Sequence, residues 1–154
     1  MIAQIAAIVS ILGVGVVYGT DVFGALVLRP ALARVDDAAL TSVTGRIHRF
    51  GDRRMPIPGI VGIVGAAATT VSAALSGRPV TSALAAAALV LLIVWLVLYL
   101  RISAPINRTL TAAAEAGDVL PNVRDLQRAW DRIIIPRALL QGIALLALCV
   151  SLAS

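Results

Sequence analysis

The chain contains no lysine, so its 13 basic side chains are all arginine. It has one histidine, His48, and one cysteine, Cys149. A lone thiol excludes a disulfide framework and a cysteine-based zinc site within the chain. A lone histidine excludes bis-histidine haem ligation and a His-rich metal site. Neither a metal nor a cofactor is therefore expected. Aromatic residues make up 4% and charged residues 14%, whereas an ordinary soluble domain is roughly a quarter charged. So little charge excludes a solvated globular enzyme, a disordered chain and a coiled coil. The sequence also lacks a glycine-rich phosphate loop and a Gly-x-Ser-x-Gly elbow. No basic stretch precedes the first apolar run, which is too long for a signal-peptide core, so no cleavable signal is expected.

What is there is apolar: 60% of the 154 residues are hydrophobic and the mean hydropathy is +0.97. Length predicts one domain over residues 1–154. Arginine without lysine, with abundant Ala, Val and Leu, points to a high-GC, actinobacterial source. Four runs reach the roughly 20 residues needed to cross hydrocarbon: about 2–28, 55–75, 80–100 and 133–153. Val80 to Leu100 has no polar face at a helical period, which a helix of a soluble bundle requires. The expected fold is an all-α integral membrane four-helix bundle.

Twelve of the 13 arginines lie in or beside the two long connections, and only Arg78 lies in the short one. The positive-inside rule puts the long connections in the cytoplasm and both termini outside, in a multi-pass protein of the plasma membrane. The arginines flank apolar runs, so an anionic inner leaflet explains them better than nucleic acid does. Both cytoplasmic connections are expected to be structured. In the first, Leu40, Val43, Ile47 and Phe50 fall at helical spacing and predict an amphipathic helix on the inner leaflet. Asp36 or Asp37 would cap it, and Gly45 would weaken it. In the second, a short helix opens at Ala104-Pro105 and ends at Gly117. A further helix, capped by Asn122, runs into the fourth span with a kink near Pro136.

Small residues suggest how the spans meet, because close backbone approach drives association in lipid. Gly15 and Gly19 mark the first span, and Gly59, Gly62 and Gly65 the second. Gly15 and Gly19 serve either packing within the chain or a contact with another membrane subunit or a second copy.

Asp21 is the most informative polar residue. It sits roughly 10 Å inside the first span, where an isolated charge costs several kcal/mol and calls for a partner. Arg137, at a matching depth in the fourth span, is the natural one. Tyr18 and Gln141 share faces with Asp21 and Arg137. They predict a polar cluster of Tyr18, Asp21, Arg137 and Gln141 with Trp130 at its mouth. It serves as a structural ion pair, a ligand site or a proton path. The six aromatics, Tyr18, Phe23, Phe50, Trp95, Tyr99 and Trp130, all fall toward the arginine-rich side. They form either an interfacial belt or the walls of a pocket for a flat, apolar small molecule. His48 reads as a surface residue of the amphipathic helix or as a general base.

The stretch Pro105-Ile106-Asn107-Arg108, then Leu126-Gln127-Arg128-Ala129-Trp130-Asp131-Arg132, then Arg137, resembles the anthrone oxygenase-like family of small four-span membrane proteins. Asn107, Trp130 and Arg137 fit that family's pattern. Tyr18 to Phe23 and Leu28-Arg29-Pro30 resemble the first-span segment of its actinobacterial members. Ile134 stands where many members carry a histidine. The resemblance implies cofactor-independent oxidation of a polycyclic anthrone. Arg137 would stabilise the anion, Trp95, Tyr99 and Trp130 would stack on the rings, and His48 or Asp21 would serve as base. The candidate catalytic residues are thus Arg137, Asp21 and His48, with Tyr18, Trp95, Tyr99, Asn107, Trp130 and Gln141 as candidate ligand contacts. Two functions follow: a structural or accessory protein that packs against lipid or another membrane subunit, or an oxygenase-like enzyme acting on a lipophilic polycyclic phenol.

Overall fold

The computed structural model describes residues 1–154 and is all helical. There are five helices: α1, Ile2–Leu32; α2, Asp37–Arg54; α3, Pro56–Leu75; α4, Pro79–Ala116; and α5, Val123–Ala153. Helices α1, α3, α4 and α5 are long and apolar enough to cross a membrane. Their outer surface is apolar: Ile5, Leu12, Val64, Val71, Val90 and Leu146 are all exposed. Only 38 of 154 residues are buried, so most of the apolar mass faces outward, which fits lipid and not water.

The four long helices form a ring in the order α1, α3, α4, α5. Small residues close it at the end that carries both termini. Ser10 Oγ donates to the Gly62 carbonyl at 2.6 Å. A Cβ on Gly13 would lie 2.6 Å from the Pro58 carbonyl oxygen, and one on Gly62 2.8 Å from Val14 Cγ2. Gly13, and not Gly15, is therefore the close-approach residue of α1. Gly15 and Gly19 have nothing within 4 Å, so they take no part in packing within the chain. The core here is Val14, Ala66, Ala88, Leu92, Ala144 and Leu148.

At the other, arginine-rich end α1, α4 and α5 run on past the length that crossing hydrocarbon requires. A helix of 38 residues such as α4 is about 57 Å long at 1.5 Å per residue, against roughly 30 Å of hydrocarbon. The expected short helix of the second connection is present, Ala104–Ala116, ended by Gly117 at φ +75°, but a π turn joins it to the preceding helix without a break, so it is the far part of α4. A second core forms beyond the spans from Leu32, Leu40, Ile106, Leu110 and Val123.

Two π turns interrupt the long helices at a shared level, Gly24–Leu28 in α1 and Tyr99–Ser103 in α4. Each ends two residues before a proline, Pro30 or Pro105. A proline removes an N–H and crowds the carbonyl four residues earlier. Widening the turn relieves that conflict without ending the helix. Helix α5, by contrast, continues through Pro136.

Helix α2 buries a second face beside the outward apolar one expected of it, and of that apolar set only Leu40 turns inward. Leu40, Thr41, Thr44 and Gly45 are buried, while Val43, Ile47 and Phe50 are exposed. The buried face packs along the extension of α4, where a Cβ on Gly45 would meet the Leu110 carbonyl at 2.3 Å. Gly45 is thus a contact point, not a weak point. Nor is α2 a detached surface helix. It passes into α3 through Met55, whose backbone stays helical at φ −72° and ψ −21°. Asp36 caps α2 by accepting from the Ala39 amide at 2.7 Å. Asn122 precedes α5 without a side-chain cap bond. Arg124 fastens the start of α2 instead, donating to Asp37 at 2.7 Å and to the Val35 carbonyl.

Candidate functional site

A cavity of about 400 Å³ lies between the two cores, and all five helices line it. Its floor is ionic. Arg137 Nη2 donates to Asp21 Oδ1 at 2.8 Å, and Arg137 Nη1 to Ser103 Oγ at 2.7 Å. Gln141 Nε2 donates to Asp21 Oδ2 at 2.6 Å. Asp21 and Arg137 are 4% and 5% exposed, so each needs the other's charge and these added bonds to remain in so dry a place. Ser103 reaches Arg137 from the π turn of α4.

The aromatic wall stands on α4. Trp95 and Tyr99 stack with ring centroids 6.4 Å apart, one helical turn apart in sequence. The Arg137 guanidinium lies over the Tyr99 ring at 5.5 Å, a favourable use of the ring's negative face. Trp95 is 6% exposed and also covers Gly59, where a Cβ would meet its ring at 3.3 Å. Its indole N–H points toward Asp21 but falls outside hydrogen-bond geometry.

Helix α2 forms the roof with His48 and, one turn on, Asp52. Asp52 Oδ1 accepts from Tyr99 Oη and from Asn107 Nδ2, both at 2.8 Å. His48 tilts against Trp130, with centroids 5.6 Å apart and planes at 50°. Burial in the cavity wall pushes its pKa down to about 4. The Arg137 charge pushes the same way, and the Asp52 carboxylate opposes. His48 is thus a neutral imidazole at ordinary pH, and taking up a proton there costs desolvation that the Asp52 carboxylate only partly offsets.

The structure brings Arg137, Asp21, His48, Trp95, Tyr99, Asn107 and Trp130 to this one cavity. His48 is not on an outer surface. Gln141 stands behind the wall, touching Asp21 without lining the space. Tyr18 does not join the polar cluster: its ring packs on Gly142 of α5, where a Cβ would sit 3.1 Å from it. Ile134 is fully buried against Gly24. Asp52 was not foreseen. The usable signal was its spacing, four residues after His48, which puts both on one helical face.

Several buried polar atoms here have no partner within the chain: Arg137 Nε, Trp130 Nε1 and Asn107 Oδ1. A buried donor or acceptor without a partner is costly, and these three belong to residues that line the cavity. The site holds donors on one side, an acceptor on another, a neutral base above and a cation below. Such a set can hold a ring, take a proton from it and stabilise the resulting anion. No family model, curated protein or solved structure matches the chain.

Proposed function

We propose that this is a multi-pass membrane protein, inserted with its arginine-rich end in the cytoplasm, that binds a flat lipophilic aromatic and removes a proton from it. The single observation that carries this reading is the cavity itself. A purely structural role accounts for the Asp21–Arg137 pair, but not for a space of about 400 Å³ enclosed by aromatics, a neutral histidine and unpartnered polar atoms. A native bundle ordinarily fills such a space with side chains.

In the chemistry, His48 takes the proton of an acidic C–H or phenol. Arg137, held by Asp21 and Ser103, faces the anion that forms, while Trp95 and Tyr99 stack on its rings. An anthrone-type substrate then reacts with dioxygen, its CH₂ becoming C=O with release of one water. This makes α2 the source of the base, in place of the α5 position that Ile134 fills. A transport role is disfavoured, because the core beyond Gln141 is built on Val14, Ala66, Ala88, Leu92, Ala144 and Leu148, and the buried hydroxyls of Ser10 and Thr69 there are taken up by backbone carbonyls.

Both tryptophans line the cavity, so emission reports on it directly. Titrating the reconstituted protein with an anthrone should quench tryptophan emission and, with dioxygen present, consume oxygen. His48→Gln should keep the quenching and lose the oxygen uptake. Unchanged emission at saturating anthrone would leave only the structural role of packing against lipid or another membrane subunit.

A further inference from the structure

The cavity has two unlike ends. At the arginine-rich level its walls are polar: Asp52, Tyr99, Asn107 and His48. Deeper along α3 and α4 the wall is made of Ile60, Ile63 and Leu96, and Leu100 stands at the level of Tyr99 on the side of α4 toward α3. Ile60 and Leu100 line the cavity, yet they are 60% and 54% exposed on the outside. Residues that face both ways mark an opening: Thr20 and Pro56 do so between α1 and α3 and Arg29 at the arginine-rich end, whereas between α3 and α4 the rim, Ile60 and Leu100, carries no polar side chain. Both lie in helices apolar enough to span a membrane, so the opening faces hydrocarbon when these helices are in a bilayer. The polar end is built for a ligand: Arg137 and Asn107, 5% and 4% exposed, each keep an unpartnered polar atom.

We propose that the ligand is a tailed amphiphile, a phenol-type ring bearing a long apolar chain. The ring occupies the polar end of the cavity, and the chain leaves between Ile60 of α3 and Leu100 of α4 into the bilayer. This rests on the reading that the cavity binds an aromatic ring, and it narrows the ligand to one drawn from the membrane. A tail that stays in hydrocarbon avoids the cost of transferring its methylenes to water, about 0.8 kcal/mol for each.

The test uses Trp95 as the sole tryptophan, in a Trp130→Phe protein that keeps an aromatic ring against His48. In vesicles of phosphatidylcholine brominated at mid-chain, Trp95 emission should be quenched, although the residue is buried within the protein. Para-decylphenol should restore it by filling the opening, and n-decane should not. An Ile60→Phe/Leu100→Phe protein, narrowed at the rim, should lose most of the bromine quenching. A Trp95 shielded from bromine in the parent overturns the opening. Restoration by decane as effective as by para-decylphenol overturns the ring-and-tail ligand. Emission that responds to para-decylphenol in unbrominated vesicles, without relief of bromine quenching, also overturns this proposal while sparing the ring-binding site. No response to para-decylphenol in either vesicle overturns both.

Discussion

Toward the termini, α1 and α3 touch backbone to backbone through Ser10, Gly13, Gly62 and Gly65. At the arginine-rich end the same two helices separate, and Thr20 reaches only the Met55 sulfur, at 3.8 Å. The closed end has alanines at its centre and hydroxyls bonded to backbone carbonyls, Thr69 to Gly65 of its own helix at 2.8 Å and Ser10 to Gly62 across the contact at 2.6 Å. The open end has rings, ions and two π turns. The contrast separates two ways of placing polar atoms in a dry bundle. A hydroxyl satisfied by its own backbone asks nothing of its neighbours. A carboxylate and a guanidinium must be matched across helices, and the fold has to hold those helices at a set distance. The π turns at Gly24–Leu28 and Tyr99–Ser103 sit where that distance is set.

The largest test of this contrast removes one ion. Asp21→Ala or Arg137→Ala should each cost about 3–5 kcal/mol, because the remaining charge is buried without a partner. The Asp21→Ala/Arg137→Leu protein should unfold at a higher temperature than either single variant. Thermal unfolding in mild detergent reads all three. A double variant weaker than both singles would show that the pair is not coupled, and the open end would then owe its stability to the rings alone.

A change at the closed end should be smaller and should depend on position within one helix. Gly13→Ala forces a Cβ into the Pro58 carbonyl and should cost about 1–3 kcal/mol. Gly15→Ala meets open space and should change stability by less than about 0.5 kcal/mol. Equal losses at the two positions would contradict the packing of α1 on α3. A change of oligomeric size with Gly15→Leu or Gly19→Leu, read by light scattering, would reveal a second copy on that face.

The sequence showed the ions more clearly than it showed the site they serve. A carboxylate inside an apolar run is conspicuous because its cost demands a partner, and Asp21 led straight to Arg137. The four apolar runs were equally plain, since composition over 20 residues decides them. Helix α2 was read from its outward Val43, Ile47 and Phe50 alone, and the less apolar face that it buries was overlooked. Thr41, Thr44 and Gly45 were chosen for closeness, not hydrophobicity, and small-residue contact leaves no period in hydropathy. That error turned His48 outward and hid Asp52 among the arginines. The π turns were invisible for a similar reason: one widened turn adds no pattern, and only the prolines two residues on hint at it. The reach of α4 past Leu100 was missed because Arg101 and Pro105 resemble a helix end.

His48 gives a milder, pH-dependent test of the open end. Its pKa is held down at about 4 in the folded protein, against 6.5 ordinarily. Between those values the unfolded chain binds a proton that the folded chain does not, so unfolding is favoured as pH falls. Stability should be complete above pH 6.5 and decline toward pH 4, the window set by those two values. His48→Gln should flatten that part of the curve. A parent protein with no slope there would place His48 in water, away from Trp130 and the cavity.

The most local of these tests isolates the Asp52 bond from the ring that makes it. Tyr99→Phe keeps the stacking on Trp95 and the face offered to Arg137, and it removes only the hydroxyl at 2.8 Å from Asp52. Asp52 keeps its bond from Asn107 at 2.8 Å, so the loss should be about 1 kcal/mol of stability, one ordinary hydrogen bond. Ring binding should survive with nearly unchanged quenching of tryptophan emission, because the aromatic surface is intact. Asn107→Ala breaks the other bond and also deletes the buried Oδ1 that has no partner within the chain, so it should weaken ligand binding more than Tyr99→Phe does. Equal losses of binding in the two variants would mean that the cavity senses only the position of Asp52. A loss confined to Asn107→Ala would mean that the unpartnered Oδ1 itself meets the ligand. The two variants thereby separate a carboxylate that positions its neighbours from an amide that touches what they hold.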